Sequence, residues 1–111
     1  MSHEVGSVEG AAQVLIGHTS DISFVDFSQS NLLVSSSNDK SIRFWKGDGH
    51  GIYSESKSSP PLSPFTGHKY AVNCVRFSPF DTILASCSTD GNIILWDAQV
   101  SSSIHESWIR S

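Results

Sequence analysis

LASCSTDGNIILWD, residues 84–97, decides how the rest of the chain is read. It holds a serine, an aspartate and a tryptophan at fixed spacing, and a histidine stands upstream in TGHKY, residues 66–70. Serine, histidine and aspartate are the residue types of a hydrolase triad, so chemistry has to be weighed against architecture. The local pattern favours architecture. LASCS and NIILW are short runs rich in apolar and β-branched residues, which reads as two strands. Asp90-Gly91 between them suits a two-residue hairpin loop, because glycine takes a positive φ without steric cost.

This stretch has a twin. LLVSSSNDKSIRFW, residues 32–45, aligns with residues 83–96 at an offset of 51, with identities at Leu33, Ser35, Ser37, Asp39, Ile42 and Trp45. Upstream, GHTSDISFVDFS (17–28) aligns with GHKYAVNCVRFS (67–78) at an offset of 50, matching Gly17, His18, Val25, Phe27 and Ser28. Eleven identities fall where average composition would give roughly two, so one unit occurs twice. The one-residue change of offset falls at SQSN or SPFD, residue types that favour a hairpin turn.

Each unit predicts an antiparallel meander: Ile22–Phe27 or Val72–Phe77, then LVSSS or LASCS, a turn, and SIRFW or NIILW. Lys40 stands where the second unit has Gly91, which makes the first turn the weaker one. IILW is apolar throughout and predicts burial on both faces, whereas Arg43 gives SIRFW a wetter side. The expected division is a flexible N-terminus over 1–12, a first repeat over 13–66 with a long loop at 47–61, a second repeat over 67–98, and a poorly matched tail over 99–111. Leu62–Phe65 is expected as an outer strand, where Pro64 is tolerable at an unpaired edge, and QVLIGH (13–18) as the outer strand of an earlier unit.

Bulk composition narrows the classes of function. A 111-residue chain with 38% hydrophobic residues can build one small core. Its formal net charge of −4 and scattered seven Lys and Arg argue against nucleic acid and anionic membranes as partners. Lys40, Arg43 and Lys46 read as a solvated strand face. Cys74 and Cys87 lie outside any CxxC pairing and are expected as buried reduced thiols, not as a disulfide or metal site. His3, His50 and His105 are scattered, so neither a metal nor a cofactor is expected. MSHEVGSVEG has no secretory pattern, and no segment approaches the ~18 apolar residues of a membrane span. A soluble, cytoplasmic protein is expected, with the nucleus as the alternative.

Gly-His, then Ser, then Asp, then Trp or Trp-Asp, on a unit of four short strands, resembles the WD-repeat family of β-propellers. The likeness covers Gly17–Trp45 and Gly67–Asp97. It departs at Trp45-Lys46, where Trp-Asp is usual, and after Asp97, where AQVSSSIHESWIRS supplies no further Gly-His. The resemblance implies an all-β fold of antiparallel four-stranded blades, here two blades of a partial propeller. It also implies that His18, Ser35, Asp39 and Trp45 lie together, as do His68, Ser86, Asp90 and Trp96. In each set the tryptophan N–H donates to serine, the serine O–H to histidine, and the histidine N–H to aspartate.

Such a chain leaves no hydroxyl for a substrate, and neither serine sits in a G-x-S-x-G elbow, so the protein is expected not to be an enzyme. Fold analogy points to a protein–protein interaction scaffold that binds proteins or peptides. The family's display surface would place Tyr70, Asn73, Thr89, Ser20, Ser23 and Asn38 toward the partner. A narrower likeness of residues 63–97 to the N-terminal repeats of U-box-containing WD-repeat proteins implies an alternative, the substrate-recruiting part of a U-box ubiquitin ligase. A serine hydrolase using Ser86, His68 and Asp90 is the remote alternative. Two blades alone would expose two apolar faces and open strand edges. The chain is therefore expected to be a fragment or truncated product of a longer propeller, or to complete itself by self-association or with a partner's blades.

Overall fold

The computed structural model describes residues 12–98 and the backbone of Ser102–Ser103, and every regular element among them is a strand. The expectations for the first eleven residues, and for most of the tail, lie outside the described residues. Strands β1 (Ile22–Phe27), β2 (Leu32–Ser37), β3 (Ser41–Gly47), β4 (Tyr53–Glu55) and β5 (Phe65–Thr66) form one sheet. Strands β6 (Val72–Phe77), β7 (Ile83–Ser88), β8 (Ile93–Asp97) and β9 (Ser102–Ser103) form a second, and all pairings are antiparallel.

The change of offset between the twin units lies in the turns before β2 and β7. Here a serine hydroxyl supplies the acceptor that the ladder lacks: Ser28 Oγ takes the N–H of Ser30 and Leu32, and Ser78 Oγ takes that of Ile83. Asn31 and Asp81 turn the chain at positive φ, which short polar side chains tolerate. The next turn corrects the sequence reading. Three residues, Asn38–Lys40, separate β2 from β3, closed by Lys40 N–H to Ser37 O at 3.2 Å. Lys40 and Gly91 both sit at positive φ, the last position of a turn that ends in a left-handed residue.

The outer edge of the first sheet departs furthest from expectation. The Gly-, Ser- and Pro-rich stretch 47–61 was expected to be a loop, but Tyr53–Glu55 pairs with β3. Trp45 faces Glu55, while Ile42, three residues earlier, faces Phe65, ten residues later, so seven extra residues leave the outer strand between β4 and β5. The ladder is bridged on both sides of this insertion. Ser56 N–H still donates to Phe44 O at 2.8 Å, and Phe44 N–H donates to the Ser63 hydroxyl at 3.0 Å instead of to a strand carbonyl. In the second sheet β9 pairs with the edge of β8, in the tail expected to match poorly. Residues 13–18, expected as an outer strand, bridge only at Leu15, while the Gln13 side-chain amide holds both backbone groups of Tyr53.

Alternation along the strands places the core between the sheets. Val34, Ile42 and Phe44, with Phe65, pack against Val72, Val75, Leu84, Ile94 and Trp96. The Phe65 ring lies 4.5 Å from Phe44 and 5.0 Å from Trp96, joining one sheet to the other. Full burial of each such side chain is worth ~1.5–3 kcal/mol, so this layer dominates the stability. Polar ties run along its rim. Asp26 accepts the Phe77 N–H at 2.9 Å, and Asp81 accepts from Gln29 N–H at 2.8 Å and the Ser30 hydroxyl at 3.1 Å.

The opposite faces stay open among the described residues. On the first sheet Ile22, Val25 and Phe27 are exposed, and on the second Ile93 is exposed, so only one face of NIILW is out of water. Arg43 is not part of a solvated basic face. It pairs with Glu55 at 2.7 Å, and Lys46 donates to Ser59.

Candidate functional site

In the first sheet the expected polar chain is complete. Trp45 Nε1–H donates to Ser35 Oγ at 3.0 Å, Ser35 meets His18 Nε2 at 2.7 Å, and His18 Nδ1 meets Asp39 Oδ2 at 3.0 Å. Strand register brings the tryptophan to the serine, since Leu33, two residues before Ser35, faces Trp45. The glycine before the histidine is required by a close approach: a Cβ on Gly17 would stand 2.9 Å from the Trp45 ring, and one on Gly67 2.9 Å from Trp96. The His18 side chain is 2% exposed and that of Asp39 8%.

Two residues that the sequence reading missed complete this site. Ser41 gives Asp39 Oδ1 both its backbone N–H, at 2.9 Å, and its hydroxyl, at 2.6 Å, while Thr19 N–H reaches Oδ2 at 3.0 Å. An Asp followed two residues on by Ser is an Asx-turn signal, from which Ser41 was legible. Burial would raise the Asp39 carboxyl, but the Ser41 hydroxyl, the Thr19 and Ser41 amides and the His18 ring outweigh it and hold the group well below the usual carboxylate range.

The second sheet repeats only the inner part. Trp96 Nε1–H donates to Ser86 Oγ at 2.8 Å, and Ser86 meets His68 Nε2 at 2.6 Å. The expected link from His68 to Asp90 is not made. Asp90 is exposed, and its two oxygens accept from the Asn92 backbone N–H at 3.0 Å and the Asn92 side-chain amide at 3.2 Å. The two turns also differ in the residue two places after the aspartate. Ser41 is short and bonds a single carboxylate oxygen, leaving the other for histidine; Asn92 is longer and spans both.

Neither arrangement is a triad. Ser35 and Ser86 are buried mid-strand, each between an indole N–H and an imidazole nitrogen. A nucleophilic serine needs its hydroxyl free toward a cleft with donors placed for an oxyanion, and these hydroxyls are enclosed.

The residues assigned to a partner surface gather at the end of the sheets that holds His18 and His68. Backbone bonds from Asn38 N–H to Asp21 O and from Thr89 N–H to Ala71 O join the loop before each first strand to the turn after each second one. Tyr70, Asn73, Thr89, Ser20 and Asn38 are exposed there, Tyr70 to 55%. Ser23 is exposed too, on β1. Its hydroxyl lies 2.7 Å from that of Ser36 and donates to Val72 O across the two sheets, so it serves the fold. Cys74 and Cys87 are free and half-buried, more open than expected.

Comparison with known proteins agrees with this geometry. The WD domain, G-beta repeat family matches residues 11–46 and 59–97, more than half of the chain. Each matched repeat begins before the sheet it mostly builds, since 59–97 includes β5 of the first sheet. The chain is 45% identical over 84 residues to WD repeat, SAM and U-box domain-containing protein 1 of Gallus gallus, covering 75% of this chain and 16% of that protein. It is 43% identical over 86 residues to the Homo sapiens protein of the same name, covering 77% and 16%. Against WD40 repeat-containing protein HOS15 of Arabidopsis thaliana it is 41% identical over 46 residues, 41% of this chain and 8% of that one. The chain thus spans about a sixth of the length of the first two relatives. Two tryptophan-capped sheets, two matched repeats and these likenesses place the chain in the WD40 repeat family.

Proposed function

We propose that the chain is a non-catalytic binding element whose ligand is a protein or peptide, held at the loop rim that carries Tyr70, Asn73, Thr89, Ser20 and Asn38. WD40 repeats generally mediate protein–protein contacts, and both serines that could have done chemistry are enclosed. The observation that carries the reading is Tyr70, an aromatic side chain with a polar tip left 55% exposed beside the buried His68. Such residues are over-represented at interface centres. We infer that the two open outer faces are covered by further sheets of the same architecture, from a longer polypeptide or from other copies.

A second reading draws on the relatives named for a U-box. At 45% and 43% identity, their likeness supports recruitment of a substrate for ubiquitin ligation as this element's task.

Affinity capture with the wild-type chain, Tyr70→Ala and Phe80→Ala tests the rim. Phe80 lies at the other end of β6, so the expected result is loss of captured partners with Tyr70→Ala alone. Equal recovery with all three chains overturns the assignment.

A further inference from the structure

The register of β6 and β7 makes Cys74 and Cys87 cross-strand partners, next to a shift of register between Val72 and Cys74. Opposed residues of antiparallel strands have Cα atoms about 4.5 or 5.5 Å apart. A disulfide spans Cα separations of about 4.4–6.8 Å, so either spacing admits the bond without displacing a strand. Opposed residues also share a face. Both cysteines line one shallow groove of about 190 Å³, with Arg76, Ala85 and Ile93, on the open side of the second sheet. Each thiol is free and half-buried. Burial pushes the Cys87 thiol up, the charge of Cys74 adds to this, and the Cys74 backbone N–H opposes it. The pair belongs to the second sheet alone, because the corresponding partners in the first are Phe24 and Ser36.

We propose that, while the outer face of the second sheet is open to water, as it is in this 111-residue chain, Cys74 and Cys87 form a dithiol site that glutathione disulfide converts into an intramolecular cross-strand disulfide. Cys74 loses its proton and attacks one sulfur of glutathione disulfide. That S–S bond breaks, one glutathione leaves as thiolate and takes up the proton, and a mixed disulfide remains on Cys74. Cys87 then gives up its proton, its sulfur attacks that of Cys74, and the second glutathione leaves and is protonated. Two protein thiols are oxidised and one glutathione disulfide is reduced to two glutathiones. Burial disfavours the Cys87 thiolate, which suits the second step, where its neighbour is already in place and no second molecule has to be captured.

The test uses the reduced 111-residue chain, incubated with glutathione disulfide, quenched with N-ethylmaleimide and weighed intact. The expected product is a monomer lighter by two hydrogens, without maleimide, that yields a cross-linked Cys74–Cys87 peptide and reverts with dithiothreitol. Cys87→Ser, which places in β7 the residue β2 has at Ser36, is expected to stop at one bound glutathione. Two maleimides on the wild type, a persisting glutathione adduct, or disulfides only between chains would each overturn the proposal.

Discussion

The two turn aspartates hold different partners: Asp39 meets its histidine, whereas Asp90 accepts from Asn92. Asp39 carries His18, Thr19 and Ser41, so Asp39→Ala should cost about 1–3 kcal/mol, the penalty for stranding buried donors. Asp90→Ala should stay near the ±0.5 kcal/mol of surface substitutions. Urea midpoints of the two variants check this, and equal losses would contradict the assigned roles. The Asp39 carboxyl is depressed in the folded state, so its contribution is complete above the unfolded carboxylate value of about 4 and is lost as pH falls toward the folded one. Lowering the pH from 5 to 3 should therefore destabilise the wild type more than Asp39→Asn. At the next position, Lys40 holds a φ of 76° that costs a side-chain-bearing residue ~1–2 kcal/mol. Lys40→Gly should recover about half of that after glycine's greater unfolded-state entropy, seen as a higher thermal midpoint.

At the scale of the element, the interrupted outer strand shows how a sheet tolerates an insertion. Serine hydroxyls take over ladder positions: Ser63 accepts the buried Phe44 N–H and donates to Glu55 at 2.6 Å, and Ser56 donates to Pro61 O at 2.6 Å. Ser63→Ala should cost about 1–3 kcal/mol by orphaning that N–H, while Ser58→Ala, at an exposed position of the same insertion, should change little. Chemical denaturation of both variants separates them. The inner strands were legible residue by residue, because β-branched and aromatic runs between turn residues need no distant partner to be recognised. Tyr53–Glu55 was not, since three residues carry too short a pattern and their flanks are rich in Gly, Ser and Pro. The Arg43–Glu55 pair was hidden for the same reason.

For the whole molecule, Phe65 is one of the side chains that join one sheet to the other. It stands on the outer strand of the first sheet and packs on Trp96 of the second, whose ring also approaches Gly67 and His68. Phe65→Ala should cost about 3–5 kcal/mol through lost burial and the cavity left between Phe44 and Trp96. Tryptophan fluorescence during urea unfolding reads this directly, and a loss below 1 kcal/mol would mean that the sheets are held by their rim bonds instead. The apolar faces outside this layer, with Ile22, Val25 and Phe27 on one side and Ile93 on the other, remain open to water in the chain as described.

The amino-acid sequence by itself determined the repeat, the inner strands and the four residue types of each polar chain, because these follow from local propensity and from spacing that two copies share. Tertiary structure alone decided which aspartate meets its histidine, where the outer strand resumes, and that two cysteines thirteen positions apart stand face to face. Those outcomes depend on register, on an insertion and on the bonds neighbouring side chains make, and none of these is set until strands distant in the chain have paired.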